Sequence, residues 1–171
     1  MFAPLPLMFA LGTVAGLGLL LATGDAQAQQ ISGYHPPTPG RARVSSEYGW
    51  RIDPLTGARS WHDGFDLAVP QGTPVLAPSW GQVNLIHYAG VGPGVYNGNA
   101  VFVRTRDGRL WADLHLHGLA VTQGATVRPG QLLGWVGSTG RSTGPHLHRQ
   151  VWDIDGQTID PRRLYPPGAF A

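Results

Sequence analysis

The chain has 171 residues and a mass of 18.3 kDa, enough for one domain with a proper hydrophobic core. It contains no cysteine, which excludes disulfides, thiolate metal sites and cysteine nucleophiles, so any metal must be held by histidine and carboxylate. All 12 basic residues are arginine, and the formal charge of +2 comes without an arginine cluster or a basic–aromatic alternation, which argues against nucleic-acid binding.

The first element is a targeting segment. Residues 3–22 are almost wholly apolar, and Ala26-Gln27-Ala28 is a small-x-small cleavage site, so residues 1–28 read as a signal peptide or an N-terminal membrane anchor. The segment lacks Lys and Arg ahead of the apolar run but is long enough to span a bilayer and so to tether the chain. Export to the periplasm or the exterior is expected in either case. Residues 29–43 are polar and rich in Pro and Gly, the signature of a mobile linker. A domain is expected over residues 44–165, with a short tail over 166–171.

Within that domain no helical periodicity is sustained. Short β-type runs occupy residues 74–77, 82–87, 100–104, 110–115, 132–136 and 148–152, most of them separated by Gly, Asn-Gly or Asp-Gly. Asp107-Gly108 between two of these runs predicts a hairpin, because Gly supplies a positive φ; residues 92–99 form a longer Gly-rich loop. The abundance of Gly (25) and Pro (15) agrees with an all-β, antiparallel fold. A weak internal echo, Gly72-Thr73-Pro74-Val75 with Gly81-Gln82 against Gly124-Ala125-Thr126-Val127 with Gly130-Gln131, predicts two related hairpin units.

Seven histidines are the main chemical signal. His35, in the linker, and His87, flanked by apolar residues, read as ordinary hydrogen-bonded side chains. His146 and His148 are two apart, so on a strand they share a face. His62 and Asp66, four apart, do the same. Two imidazoles and a carboxylate brought to one point make the protein ligand set of a catalytic zinc site, with one position left for water. Spacing alone supports a rival, because Asp113, His115 and His117 also alternate along one strand. The residue pattern by itself leaves the two clusters tied.

The stretch over residues 48–160 resembles the lysostaphin/LytM-type zinc metallopeptidases that cut peptidoglycan cross-bridges. Gly49-x-Arg51-x-x-Pro54-x-x-Gly57 looks like the family's opening motif, and His62-Asp63-Gly64-Phe65-Asp66 its His-x-Gly-x-Asp metal motif. Asp113-Leu114-His115-Leu116 stands where the family has Tyr-x-His-Leu. Residues 121–134 match its Val-x-x-Gly-x-x-Val-x-x-Gly-Gln-x-x-Gly run, and Gly137-Ser138-Thr139-Gly140-Arg141-Ser142-Thr143-Gly144-Pro145-His146-Leu147-His148 is close to a literal copy. The resemblance implies a pseudo-duplicated barrel-sandwich hybrid of antiparallel sheets with a groove. It implies one Zn2+ held by His62, Asp66 and His148, with His115 and His146 as the catalytic pair. The implied substrate is a peptidoglycan peptide, cut by a monomer; which bond is cut is left open. A catalytically silent domain that binds wall or activates another hydrolase is the alternative, and retention of every matched ligand argues for activity.

Some positions depart from that pattern. Asp113 replaces the family's Tyr and reads equally as a partner of His115 or as a solvated edge residue. His117 is expected at the surface or lining the groove. Arg149 should point away from the metal by strand alternation, whereas Gln150 falls on the metal side as a supporting partner. Trp61, Trp80 and Tyr96 read as core rather than groove wall.

Overall fold

Period-two patterning along short strands sets the architecture. The computed structural model describes residues 33–171, and the apolar N-terminal segment with its cleavage site lies outside the described residues. Among the described residues no helix is long and apolar enough to cross a membrane. The strands are β1 (Arg43–Ser46), β2 (Gly49–Ile52), β3 (Arg59–His62), β4 (Gly64–Ala68), β5 (Pro74–Leu76), β6 (Gly81–His87), β7 (Asn99–Thr105), β8 (Leu110–Leu116), β9 (Gly118–Leu119), β10 (Thr126–Val127), β11 (Leu132–Trp135), β12 (Leu147–Trp152) and β13 (Thr158–Ile159). A single-turn helix α1 (Gly94–Asn97) interrupts the loop expected over residues 92–99, and a 3-10 turn covers Pro161–Leu164.

A large sheet runs β1-β4-β12-β8-β7-β6-β10, with β13 added on β12. A second sheet runs β5-β11-β9, and β2 and β3 form a separate hairpin. Every pairing is antiparallel. The predicted Asp107-Gly108 turn joins β7 to β8, closed by the Thr105 N–H donating to Arg109 O at 2.9 Å, with Gly108 at φ +92°.

The sequence echo has a structural counterpart. The first strand of each unit pairs with the second strand of the other, β5 with β11 and β10 with β6. The backbone bonds repeat this crosswise pattern: Ala77 N–H to Gln131 O, Gly130 N–H to Ala77 O, Val83 N–H to Ala125 O and Gly124 N–H to Val83 O. The expected hairpins are therefore not formed, since β5 does not pair with β6 nor β10 with β11; each unit instead exchanges strands with the other, which is the pseudo-duplicated hybrid architecture.

The core lies between the sheets. Phe65 and Leu67 of β4, Leu147 of β12, Val101 and Val103 of β7, and Leu133 of β11 are fully buried there. Each such side chain stabilises the fold by about 1.5–3 kcal/mol through apolar burial. Alternation then turns Gly64, Asp66 and His148 to the other face of the large sheet. The core residues of β4 and β12 therefore aim the site residues between them.

The described residues on either side of the expected domain pack on it. Residues 33–43 do not behave as a free linker: Thr38 and Ala42 are buried, the Leu76 N–H donates to Pro37 O, and the Tyr34 ring lies 4.5 Å from that of Trp111. At the other end Phe170 packs edge-on to Phe65, and the Ala171 N–H donates to Ala42 O. Proline and glycine here shape a bent covering strap, a use that their composition does not distinguish from a linker.

Candidate metal centre

Three donors from three strands converge on one point. His62 ends β3, Asp66 sits mid-β4, and His148 on β12 is the direct register partner of Asp66. His148 Nδ1 lies 2.9 Å from Asp66 Oδ1, His62 Nε2 lies 3.0 Å from His148 Nδ1, and His62 Nε2 lies 3.3 Å from Asp66 Oδ1. All three residues are buried. Tetrahedral zinc with bonds of about 2.0–2.2 Å needs donor–donor edges of about 3.3–3.5 Å, so modest spreading would admit the ion.

The tautomers suit the same purpose. His62 Nδ1–H donates to Glu47 O at 2.8 Å, which leaves the Nε2 lone pair pointing inward. The His148 ring lies over Gly64, where an added Cβ would come within 2.8 Å of Nε2 and 2.4 Å of Arg149 O. The glycine of the His-x-Gly-x-Asp motif is therefore a requirement of close approach. Burial works to raise the Asp66 pKa, but the His148 and His62 imidazoles beside it, which in their protonated forms donate to the carboxylate and neutralise it, outweigh burial and hold the carboxyl well below the usual range.

Arg51 completes the grip on Asp66. Its Nη1 donates to Asp66 Oδ2 at 3.1 Å and to Ser46 Oγ at 2.6 Å, leaving Oδ1 to the histidine cluster. Sequence reasoning gave Arg51 no role; its place in the Gly-x-Arg motif was the available signal.

Two further imidazoles border this cluster. His146 Nδ1–H donates to Gly144 O at 2.8 Å, and its Nε2 lies 3.8 Å from Asp66 Oδ1. His115 Nδ1–H donates to Thr139 O at 2.9 Å, and its ring centroid lies 5.0 Å from that of His146 and 6.0 Å from that of His148. In both rings the backbone bond leaves Nε2 as the nitrogen free to exchange a proton. Burial pushes His115 down to about 4, against an opposing hydrogen bond to Thr139 O.

His115 reaches the site through a backbone irregularity. It is the non-glycine residue with positive φ among those described, at +62°. Register passes from Val101↔Asp113 to Asn99↔Leu116, so β8 carries one residue more than β7 across this step. The bulge breaks alternation between Asp113 and His115. Leu116 is left in the core, and His115 turns to the metal face.

The rival cluster consequently does not assemble. Asp113 is neither a solvated edge residue nor a partner of His115: it is buried against Arg149, which donates Nε to Oδ1 at 2.7 Å and Nη2 to Oδ2 at 2.8 Å. Arg149 points away from the metal face as expected. His117 is exposed, with Nδ1 3.4 Å from Gln71 Nε2. Gln150 occupies the His148 face but makes no side-chain hydrogen bond to the three donors. His35 bonds Pro36 O, and His87 stacks on Phe102 and bonds Asn97, as ordinary structural histidines do. Trp61, Trp80 and Tyr96 are 45%, 44% and 66% exposed, so the reading of these aromatics as core is wrong. Trp61 lies on the β2–β3 hairpin, Trp80 just ahead of β6 and Tyr96 on α1, all outside the inter-sheet core.

A cleft of about 450 Å³ leads to the centre, lined by Ser45, Arg51, Ile52, Thr143, Pro145 and His146. It adjoins a pocket of about 60 Å³ over Asp66 and His148, bordered by His115, His146, Leu55 and Arg141. The β2–β3 hairpin forms one wall, and the loop ahead of β12 forms the other.

Comparison with known proteins bears on this geometry. A profile of Peptidase family M23 matches residues 60–161, more than half of the chain. Over 119 residues the chain is 44% identical to the DD-carboxypeptidase/endopeptidase Mpg of Neisseria meningitidis serogroup B, covering 70% of this chain and 26% of that protein. It is 35% identical over 134 residues to lysostaphin of Staphylococcus simulans, covering 77% and 24%. The chain thus spans about a quarter of the length of these relatives. Among solved structures, the catalytic domain of lysostaphin matches with a TM-score of 0.62 at 29% identity, covering 81% of this chain and 96% of that one. A zinc containing peptidase from Vibrio cholerae matches with a TM-score of 0.64 at 30% identity, covering 73% and 37%.

Proposed function

The chain belongs to peptidase family M23, and from that premise we propose that it is a zinc-dependent endopeptidase hydrolysing peptide cross-links of bacterial peptidoglycan. The observation that carries the reading is the convergence of His62 Nε2, Asp66 Oδ1 and His148 Nδ1 within 3.3 Å of one another. With the His62 N–H donated outward, the neutral imidazoles that metal binding requires leave at most one N–H for three convergent ligand atoms, and that surplus of acceptors suits a cation; an N/N/O set without thiolate suits zinc. Relatives named as peptidoglycan DD-endopeptidase and lysostaphin support the substrate class.

His62, Asp66 and His148 would hold the ion, with Arg51 fixing the Asp66 carboxylate. Bound zinc supplies Lewis-acid polarisation of the scissile carbonyl and acidifies water toward neutral pH. His115 and His146 divide the proton work at their Nε2 atoms. One accepts the proton of the attacking water, and the other, as imidazolium, delivers a proton to the leaving amine. Their Nδ1–H bonds to Thr139 O and Gly144 O hold the rings in the tautomer this exchange needs. The same reading has a monomeric enzyme working outside the cytoplasm, where the wall lies, with residues 1–28 as its export signal or tether.

Dialysis against a chelator, then re-addition of zinc, tests this. Release of soluble fragments from purified walls should vanish with the metal and return with it. A protein with no stoichiometric metal, unchanged by His62→Ala, would sink the reading. Wall binding without fragment release would mark a silent binding or hydrolase-activating domain instead.

A further inference from the structure

Beside the catalytic histidines stands a cation that none of the steps above uses. Arg141 lines the small pocket over the metal ligands together with His115, His146 and Leu55. Its backbone is fixed, because the Arg141 N–H donates to Tyr96 O at 2.8 Å. Its guanidinium is held across the groove by Asp53, at the base of the β2–β3 turn. One nitrogen makes that link: Nη2 donates to Oδ1 and to Oδ2, each at 2.8 Å. Asp53 is itself immobilised. Its Oδ1 accepts from the Leu55 and Thr56 N–H groups at 2.9 and 3.0 Å, and its backbone pairs with Gly57 and Ala58.

Nε and Nη1 of Arg141 have no hydrogen-bond partner among the described residues, and the side chain is 38% exposed toward the groove. A guanidinium gripped through one nitrogen and free at the others is oriented without being consumed. Its remaining N–H groups match a carboxylate. The other cation of this pocket, Arg51, also donates through a single nitrogen, Nη1, but it spends that nitrogen on the Asp66 carboxylate of the metal cluster and on Ser46, and its unpartnered Nε is buried rather than open to the groove.

We propose that Arg141, positioned by Asp53, binds a free carboxylate of the peptide substrate next to the scissile bond and so selects acidic over amidated cross-links. The proposal rests on the peptidase reading and deepens it. The carboxylate is either the C-terminal one or a side-chain one of a diamino-diacid residue, and the chemistry of recognition is the same.

The test uses the zinc-loaded protein with synthetic cross-linked peptides in three forms: all carboxylates free, the C-terminal one amidated, and the side-chain one amidated. One of the two amidations should lower kcat/KM by about 10- to 100-fold, and that one identifies the source. Arg141→Gln should lower kcat/KM for the free peptide by a similar factor and become indifferent to that amidation, with zinc content unchanged. Arg141→Lys should restore part of the discrimination. Asp53→Asn keeps the Oδ1 acceptor for the turn but drops the charge, and it too should lose part. Equal rates on all three peptides with wild type, or an equal fall on free and amidated peptides in Arg141→Gln, would overturn the proposal. Calorimetric binding of the same peptides to His146→Ala protein separates the two readings. An Arg141-dependent preference in binding without any hydrolysis by wild type would refute the peptidase reading alone, and binding without preference would refute this one.

Discussion

Neighbouring residues of β12 bury charge on opposite faces of one sheet, and the two faces satisfy it differently. On the core side Arg149 spends Nε and Nη2 on Asp113, Nη1 on the Tyr165 hydroxyl, and Nη2 again on Leu76 O. Donors and acceptors balance there, and the pair is closed to solvent. On the groove side His62, Asp66 and His148 bring three ligand atoms to one spot with at most one N–H among them when the imidazoles are neutral, and Arg51 answers only the outer carboxylate oxygen. A buried cluster whose hydrogen bonds balance is structural, whereas a buried surplus of acceptors is a binding site for a cation. Burial and charge alone do not separate the two; the donor count does.

Substitutions should break this pair of clusters in different observables. His148→Ala is expected to abolish stoichiometric zinc and cut wall hydrolysis by about 10³-fold or more, since the lost metal contribution is several kcal/mol. Its metal-free form should unfold close to metal-free wild type, as checked by denaturant titration with chelator present. Arg149→Met should do the opposite. It leaves Asp113 buried without a partner and costs about 3–5 kcal/mol of stability, with zinc binding retained in the folded fraction. The double change Arg149→Met, Asp113→Leu should recover most of that loss, because an apolar pair removes the stranded charge. If His148→Ala destabilised the metal-free protein as much as Arg149→Met, the distinction would fail. Arg51→Met lies between these cases. It should weaken zinc by about 10- to 100-fold in a chelator competition, with little change in metal-free stability.

The same contrast marks what the sequence could reveal. The six β-type runs became β5, β6, β7, β8, β11 and β12, because alternation and turn residues are local properties. Spacing left His62, Asp66, His146 and His148 tied with Asp113, His115 and His117, and the ordered series of family motifs decided for the groove-side cluster. Both motifs run across a strand end, His62 closing β3 ahead of β4 and His146 preceding β12, and the β4–β12 register sets Asp66 against His148. The core-side pair was not legible. Arg149 and Asp113 are 36 residues apart and meet only through the β12–β8 register. Arg51 was hidden likewise, since its contact to Asp66 spans separate sheets. The covering role of residues 33–43 depends on a surface that exists only after folding.

Between the two faces stands His115, and here alternation itself failed. Spacing put Asp113, His115 and His117 on one side, yet a bulge sends Asp113 to the core face and His115 to the groove face. The positive φ of His115 costs an L-residue about 1–2 kcal/mol, which glycine does not incur. Glycine ordinarily destabilises a strand by about 0.5–1 kcal/mol relative to alanine. At this position the strain term is the larger, so His115→Gly should be more stable than His115→Ala by up to about 1 kcal/mol. Both variants should lose wall hydrolysis while keeping zinc, because the Nε2 proton site goes and the three ligands stay. Denaturant midpoints of the two variants decide it. Alanine proving the more stable would mean that the bulge relaxes once the imidazole is gone. The crossing of β8 from its structural face to its chemical one would then be held by His115 and Thr139 O, with the backbone following.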